Sequence, residues 1–314
     1  MQSAMNTFLT GPGATTARMG LAVLPALGTT AQCGTGSIIA SPNLNIVQAD
    51  DDASLKAQAD QINQYIKGIQ AGGGTPTEAT LRVVGNATTL NDPNRDDLIL
   101  LLTDGLPNCN ESLNDATCTC VNTANGAPPC NTAKNQNCLD DVATVNRITT
   151  LKSQGIRTIV VGFGADTGTG LAAGPLNNMA LAGGFARTCI DPTTNQPDAA
   201  LCGAGDTCDA QTHVCGIKFY KAADGAALVA ALQAITKLIG TDPCVYNLDS
   251  KPSKPELLTV SINGNTVQSG PDTWTYDETL NKVTFVKTGS VCTQIQNATP
   301  DKPVNVEFGI IESL

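Results

Sequence analysis

Apolar residues along the first 240 positions recur with the period of amphipathic helices. The clearest series is Leu55, Ala59, Ile62, Ile66 and Ile69, which steps by four and three and so places one apolar face along a helix. Similar patterns predict further helices in this part of the chain: 3–9, 78–84, 142–151, 179–181 and 228–239, the last with Asp224 as its N-cap.

Short aliphatic runs lie between these helices. The runs at 98–102 and 157–163 are typical of strands that are buried on both faces, and the segments 17–24 and 217–220 are further candidates. Strands that alternate with helices predict an α/β fold, a doubly wound and mostly parallel sheet with helices on both faces.

The pattern changes after residue 240. An Asn263-Gly264 pair stands between alternating apolar and polar positions in 257–267, which is a strong hairpin signal. Further alternating segments follow at 273–276, 282–286 and 304–308. We therefore expect two domains, a large one over 1–240 and a small β-rich module over 241–314.

Composition and charge exclude several classes of function. Only 15% of the 314 residues are charged and the formal net charge is −10, which argues against nucleic acid and against a basic membrane-surface helix. No apolar run approaches the ~20 residues of a membrane span. A single histidine, His213, excludes a multi-histidine metal site, and no Gly-x-Ser-x-Gly motif accompanies it.

The chain holds 12 cysteines, most of them in two polar insertions at about 105–138 and 189–215. Disulfides are favoured over zinc, because the sequence has a Cys-x-Cys at 118–120 but no Cys-x-x-Cys. We expect pairing mainly within each insertion, with Cys244 and Cys292 able to staple the β module. An oxidising compartment follows: extracellular, cell surface or periplasmic. The first nine residues show no secretion signal, so we expect one to lie upstream.

Two oxygen-bearing side chains stand where α/β proteins place their sites. Asp104 directly follows the aliphatic run 98–102 and Thr103, and Thr75 lies in the loop Gly73-Gly74-Thr75-Pro76-Thr77 that opens a helix. Carboxylate and hydroxyl oxygens suit Mg²⁺, Mn²⁺ or Ca²⁺ rather than zinc. Taken singly, Asp104 could be a turn former and Thr75 an N-cap.

A weaker candidate lies in the second insertion. Asp206, Asp209 and His213 occupy the tight loop between Cys202 and Cys215, which could hold Ca²⁺. We favour the interpretation that these polar residues only form the loop that connects disulfide-bonded cysteines, without binding an ion.

Together, Gly-Gly-Thr-Pro-Thr at 73–77 and the aliphatic strand ending Thr-Asp-Gly-x-Pro at 103–107 resemble the second and third site loops of the von Willebrand factor type A domain. The helix–strand order of 1–240 and the run Tyr-Lys-Ala-Ala-Asp at 220–224, an aromatic residue followed by Ala-Ala-Asp after one position, are similar to that family too. The resemblance implies a metal-ion-dependent adhesion site, with Thr75 as the second-loop threonine and Asp104 as the third-loop aspartate.

The family's first-loop motif, Asp-x-Ser-x-Ser, does not occur in this sequence. No aspartate precedes Asp50, and the nearest imitation, 52–56, has Lys56 in place of the second serine. We expect the sequence to begin one element late, with the first strand and its motif supplied upstream. Without that strand, 17–24 and 98–102 must leave a gap or pair directly. A domain that has lost its metal is the alternative.

Three functions are compatible with these residues. The favoured one is a non-enzymatic adhesion module that uses a divalent cation to bind an acidic residue of a protein partner. We expect this cation, Mg²⁺ or else Mn²⁺ or Ca²⁺, if the missing first-loop motif is supplied upstream. The second is a structural assembly subunit with a degenerate metal site. The third is a metal-assisted hydrolase using Asp104, for which the sequence offers no motif for the second carboxylate or base that it needs.

Overall fold

The structure is a computed structural model of the chain. It describes residues 1–11, 13–27, 33–49, 51–70, 72–90, 95–121, 130, 134–164, 167, 170–191, 196–239, 244–248, 250–278, 281–286, 289–296, 298 and 304–310. The predicted boundary between the two domains, at 240 and 241, lies outside these ranges.

From residue 77 to residue 239 helices and strands alternate as the apolar pattern predicts, whereas two strands and then two helices follow one another directly between residues 22 and 84. The helices are α1 Gln2–Leu9, α2 Asp52–Gly68, α3 Thr77–Val84, α4 Asp141–Ser153, α5 Gly170–Gly183, α6 Gly225–Ile239 and α7 Ser290–Gln296. The strands before residue 240 are β1 Ala22–Val23, β2 Ser37–Ile38, β3 Asp97–Thr103, β4 Ile156–Phe163 and β5 Tyr220–Ala222. The strands after it are β6 Val245–Asn247, β7 Leu258–Ile262, β8 Asn265–Val267, β9 Trp274–Asp277, β10 Lys282–Phe285 and β11 Val306–Ile310.

A three-stranded parallel sheet lies at the centre of the larger part, in the order β3-β4-β5. Strand β4 is its middle strand, and all its residues except the last are buried. This explains why its sequence is apolar on both faces rather than alternating. Asp224 caps α6 as predicted, because its Oδ1 accepts a hydrogen bond of 2.9 Å from the Ala227 amide.

Helices pack against both faces of this sheet. One core cluster joins Ile159 and Val161 of β4 to residues of α1, α2 and α6, and Leu98 and Leu102 of β3 border it. The other joins Leu101 of β3 and residues of β4 to α3, α4 and α5. The alternation of side chains along β3 thus sends its aliphatic run into two separate cores.

The prediction of a strand over 17–24 is only partly right. Two residues, Ala22 and Val23, form a strand, and they pair antiparallel with β2 instead of joining a parallel sheet. Pro25 follows closely and cannot donate to a ladder, which limits the length of β1. The structure is therefore a mixed fold in which one three-stranded parallel sheet accompanies small antiparallel sheets.

Strand β3 is an edge strand although its sequence is that of a central one. Among the described residues it is hydrogen-bonded to β4 alone, and β1 is paired with β2 alone. Strands β1 and β3 correspond to the segments 17–24 and 98–102, between which the family's first strand was expected. They do not pair directly with each other. In the middle of β3, Leu100 is 36% exposed. An exposed leucine at this position is unusual for an edge, where charged residues normally block further pairing.

The C-terminal part consists of two antiparallel sheets of three strands, β6-β10-β9 and β11-β7-β8, around one apolar core. The predicted Asn263-Gly264 turn joins β7 to β8, with φ of 51° and 78° at its two residues, as a tight hairpin requires. Trp274 fills the core at 4% exposure, and the predicted Cys244–Cys292 disulfide is present. Strand β6 and helix α7 have no counterpart in the sequence prediction.

All twelve cysteines form disulfides, which confirms the preference for disulfides over zinc. Four bonds lie within the two insertions, as expected: Cys118–Cys138, Cys120–Cys130, Cys189–Cys208 and Cys202–Cys215. Cys33–Cys109 is different, because it links the loop before β2 to the first insertion across 76 positions. Among the described residues, no helix is long and apolar enough to cross a membrane.

Candidate functional site

Asp104 lies at the carboxyl end of β3, in a turn that exposes its side chain. The turn is held by Thr103, whose hydroxyl donates to the Gly105 carbonyl at 2.8 Å and accepts from the Gly105 amide at 3.3 Å. Thr103 itself is 7% exposed. A buried hydroxyl therefore anchors the turn on both sides of Asp104 and leaves the carboxylate open to solvent.

The loop that carries Thr75 is tied to the chain just beyond this turn. The Thr75 amide donates to Asn108 Oδ1 at 2.6 Å, and the Asn108 amide donates to the Thr75 carbonyl at 2.9 Å. The Thr75 hydroxyl stands 3.6 Å from the point that a Cβ on Gly105 would occupy. The structure thus brings the two predicted loops together at one end of the sheet, with Thr75 next to the turn that holds Asp104.

Gly74 is the residue that lets the two loops approach. A Cβ at this position would stand 2.4 Å from Cys109 Sγ and 2.9 Å from Asn108 Oδ1. The Cys33–Cys109 disulfide therefore packs directly against the backbone of the Thr75 loop. Glycine is required here because the neighbours are a sulfur in a crosslink and the acceptor of the Thr75 amide, and neither can move freely.

The donors at this edge fit a hard divalent cation. A threonine hydroxyl and an exposed aspartate supply neutral and anionic oxygen ligands, and every cysteine is oxidised and so unable to serve as a thiolate. Groups of three cation-ligating acidic, histidine or cysteine side chains occur among the described residues only around Cys118 and Cys202. Those cysteines are disulfide-bonded. An ion at Thr75 and Asp104 would therefore keep several water ligands, as Mg²⁺ commonly does.

The second insertion has the contacts of a folded loop. Arg187 binds Asp206 at 3.2 Å and also donates to the backbone carbonyls of Cys202 and Ile217. The hydroxyl and amide of Thr212 donate to Asp209 and hold the pKa of its carboxyl below the ordinary value. These turn and anchor contacts support the interpretation of this segment as polar filler rather than a Ca²⁺ loop.

A polar pocket beside the Thr75 loop was not anticipated from the sequence. It has a volume of 250 Å³ and is lined by parts of α3, the segment 108–112 and Asp140. Asn108 lines it and also binds Thr75, so the pocket and the predicted metal edge share a wall. The only sequence signal for it was an aspartate pair, Asp140-Asp141, at the start of a predicted helix.

Comparison with known families and with curated proteins finds no match. Two crystal structures of the pilus adhesin SpaC from Lactobacillus rhamnosus GG resemble the chain, one of them in an open conformation. The identities are 16% and 14%, and the TM-scores are 0.43 and 0.44. The matches cover 92% and 98% of this chain but only 34% and 35% of SpaC, so the chain spans about a third of that protein. TM-scores at this level assign neither a fold nor a function.

Proposed function

We propose that the chain is a secreted or surface-exposed adhesion module of the von Willebrand factor type A kind. In it, a divalent cation held by Thr75 and Asp104 binds a carboxylate of a protein partner. The observation that carries the proposal is the adjacency of the two loops: the Thr75 hydroxyl stands beside the Thr103–Gly105 turn, and Asp104 is exposed there.

The cation would supply a positive charge with exchangeable water positions, one of which a partner's carboxylate can take. The chain's own contribution is rigidity. The Thr75–Asn108 hydrogen bonds, the anchored turn at Thr103 and the Cys33–Cys109 disulfide hold the two oxygen donors on a preformed edge. A preformed site loses less entropy on binding than a flexible one.

Six disulfides support the proposed location outside the reducing cytosol, because such bonds persist in oxidising compartments. A binding role is preferred to a catalytic one. Metal-assisted hydrolysis needs a base or second carboxylate at the ion, and no group of three acidic or histidine side chains in the described chain includes Asp104.

The proposal is tested with a library of capped peptides in which each member carries one glutamate and each control carries glutamine at the same place. In Mg²⁺ we expect the protein to retain glutamate members over their glutamine controls. The preference should disappear with EDTA and in Asp104→Ala. A preference that persists in EDTA would overturn the metal-dependent mechanism and favour the alternative of an assembly subunit with a degenerate metal site.

A further inference from the structure

Asp140 is a buried carboxylate at a helix start that does not act as a helix cap. It occupies the N-cap position of α4 and is 5% exposed, yet its side chain makes no capping hydrogen bond. The backbone of Asp140, and not its side chain, makes the hydrogen bonds at the start of this helix. Its amide donates to the Pro107 carbonyl, and its carbonyl accepts from Thr144. The usual reason for an aspartate at this position is therefore missing.

The carboxylate points instead toward the polar pocket beside the Thr75 loop. Oδ1 accepts a hydrogen bond of 2.7 Å from Asn110 Nδ2, and both residues line the pocket. Among the described residues, Oδ2 has no hydrogen-bond partner and no cation pairs with Asp140. Burial raises the pKa of this carboxyl. The Asn110 hydrogen bond opposes the rise, and the charges of Glu78 and Asp141 add to it. A buried carboxylate in such surroundings is costly unless a cation compensates it.

The other charged side chains at the pocket do not compensate the buried Asp140 carboxylate. Glu78 is already neutralised, because Arg147 contacts it at 3.0 Å and Arg82 at 3.6 Å. Arg82, the basic side chain among the residues that line the pocket, is thus engaged with Glu78 rather than with Asp140. Among the described residues, the most buried carboxylate of the pocket therefore has no cation beside it.

We infer that this pocket binds the ammonium or guanidinium group of a lysine or arginine side chain. A volume of 250 Å³ far exceeds the ~30 Å³ of one water and can admit the end of such a chain.

The pocket shares Asn108 with the predicted metal edge, so a partner that places a carboxylate at Asp104 can place a neighbouring basic residue here. That assignment to a protein partner rests on the proposed function. The affinity of the pocket for an organic cation does not, because none of the groups around Asp140 is a ligand of the proposed divalent ion.

The experiment is an NMR titration of the ¹⁵N-labelled chain, in EDTA, with Nα-acetyl-lysine-N-methylamide. We expect saturable shifts at the Asn110 side-chain amide and at the neighbouring backbone amides. The norleucine analogue, which lacks the ammonium group, should bind at least tenfold more weakly. Asp140→Asn keeps the shape and the backbone contacts and should lose the preference for lysine, whereas Thr75→Val should retain it.

The titration of the wild-type protein is decisive even if the variant does not fold. Equal shifts from the lysine and norleucine probes, or no shift from either, would overturn the inference. An unchanged lysine preference in Asp140→Asn would overturn the assignment to this carboxylate. Because the titration contains no divalent ion, lysine binding without metal-dependent peptide binding would reject the proposed function and leave the pocket standing. Metal-dependent peptide binding without lysine binding would reject the proposed role of the pocket and leave the proposed function standing.

Discussion

Gly74→Ala should disturb both the stability of the chain and the geometry of the candidate site. The new Cβ would stand 2.4 Å from Cys109 Sγ, well inside contact distance, and 2.9 Å from Asn108 Oδ1. Overpacking of this kind costs about 1–3 kcal/mol, because side chains and backbone must shift to make room. The Asn108–Thr75 hydrogen bond lies directly beside the new methyl group, and its loss costs about 1 kcal/mol more.

We therefore expect Gly74→Ala to lower the free energy of unfolding by about 3 kcal/mol. Gly72→Ala is the matched control, because a Cβ at Gly72 would meet nothing within 4 Å. It should change the free energy by less than about 1 kcal/mol. Urea unfolding followed by far-UV circular dichroism is the assay, since Trp274, the single tryptophan, lies in the C-terminal part and does not report on this loop.

Two results would refute the reasoning about this loop. If both alanine variants unfold at the wild-type urea concentration, the contact between Gly74 and the disulfide does not constrain the loop. If Gly72→Ala is as destabilised as Gly74→Ala, the cause lies in backbone conformation and not in the Cys109 contact.

Further predictions concern the β module, the buried carboxylate and the open sheet edge. Replacing Cys244 and Cys292 by alanine should lower stability by up to about 4 kcal/mol, from a crosslink that spans 48 positions, and calorimetry showing no change in Tm would contradict this. Since burial raises the Asp140 pKa above 3.8, the native state holds that proton more tightly than the unfolded chain does, and stability falls as pH rises from 3.8 to the raised value. Urea midpoints across this range should show the fall in the wild type but not in Asp140→Asn, and identical profiles would disprove it. Joining an aliphatic strand followed by Asp-x-Ser-x-Ser to the N-terminus should cover the edge of β3, raise the Tm and tighten Mg²⁺ binding; an extended chain that melts and binds Mg²⁺ like the present one would refute this.

Sequence patterns were sufficient wherever local periodicity decides the structure. The apolar face of α2 from Leu55 to Ile66 is buried as its spacing predicts. The Asn263-Gly264 turn adopts the positive φ values that its residues favour. The run 157–163 became the middle strand of the sheet, because a strand covered on both sides can carry apolar residues at consecutive positions, as Ile159, Val160 and Val161 do.

Features that depend on distant contacts could not be predicted in this way. The sequence suggested only a short helix around Met179, whereas α5 spans 14 residues that are apolar on most sides, so no single face marked its limits. Pairing of Cys33 with Cys109 depends on how the fold brings two loops together, and cysteine spacing does not encode that. The strand predicted over 17–24 is only two residues long and pairs antiparallel with β2, a pairing that local periodicity does not specify.

The candidate site likewise has a part that the sequence predicted and a part that only the folded chain shows. The types of residue at Thr75 and Asp104 suggested a hard-cation edge, and the adjacency of their loops follows from the position of β3 and α3 in the fold. The pocket at Asp140 was not predicted, because the sequence shows there only an aspartate at the start of a predicted helix. Its distinguishing property, a buried carboxylate turned away from the helix, exists only in the folded chain.

Paramagnetic broadening of amide signals by Mn²⁺ tests the central claim most directly. The account predicts weak binding with the signals of Thr75 and Gly105 broadened first, because the ion is held between their loops. Asp104→Ala should abolish this broadening, and Asp52→Ala, which removes an exposed aspartate at the start of α2, should leave it intact. Broadening that survives in Asp104→Ala, or that centres on other carboxylates, would contradict a cation site at Thr75 and Asp104.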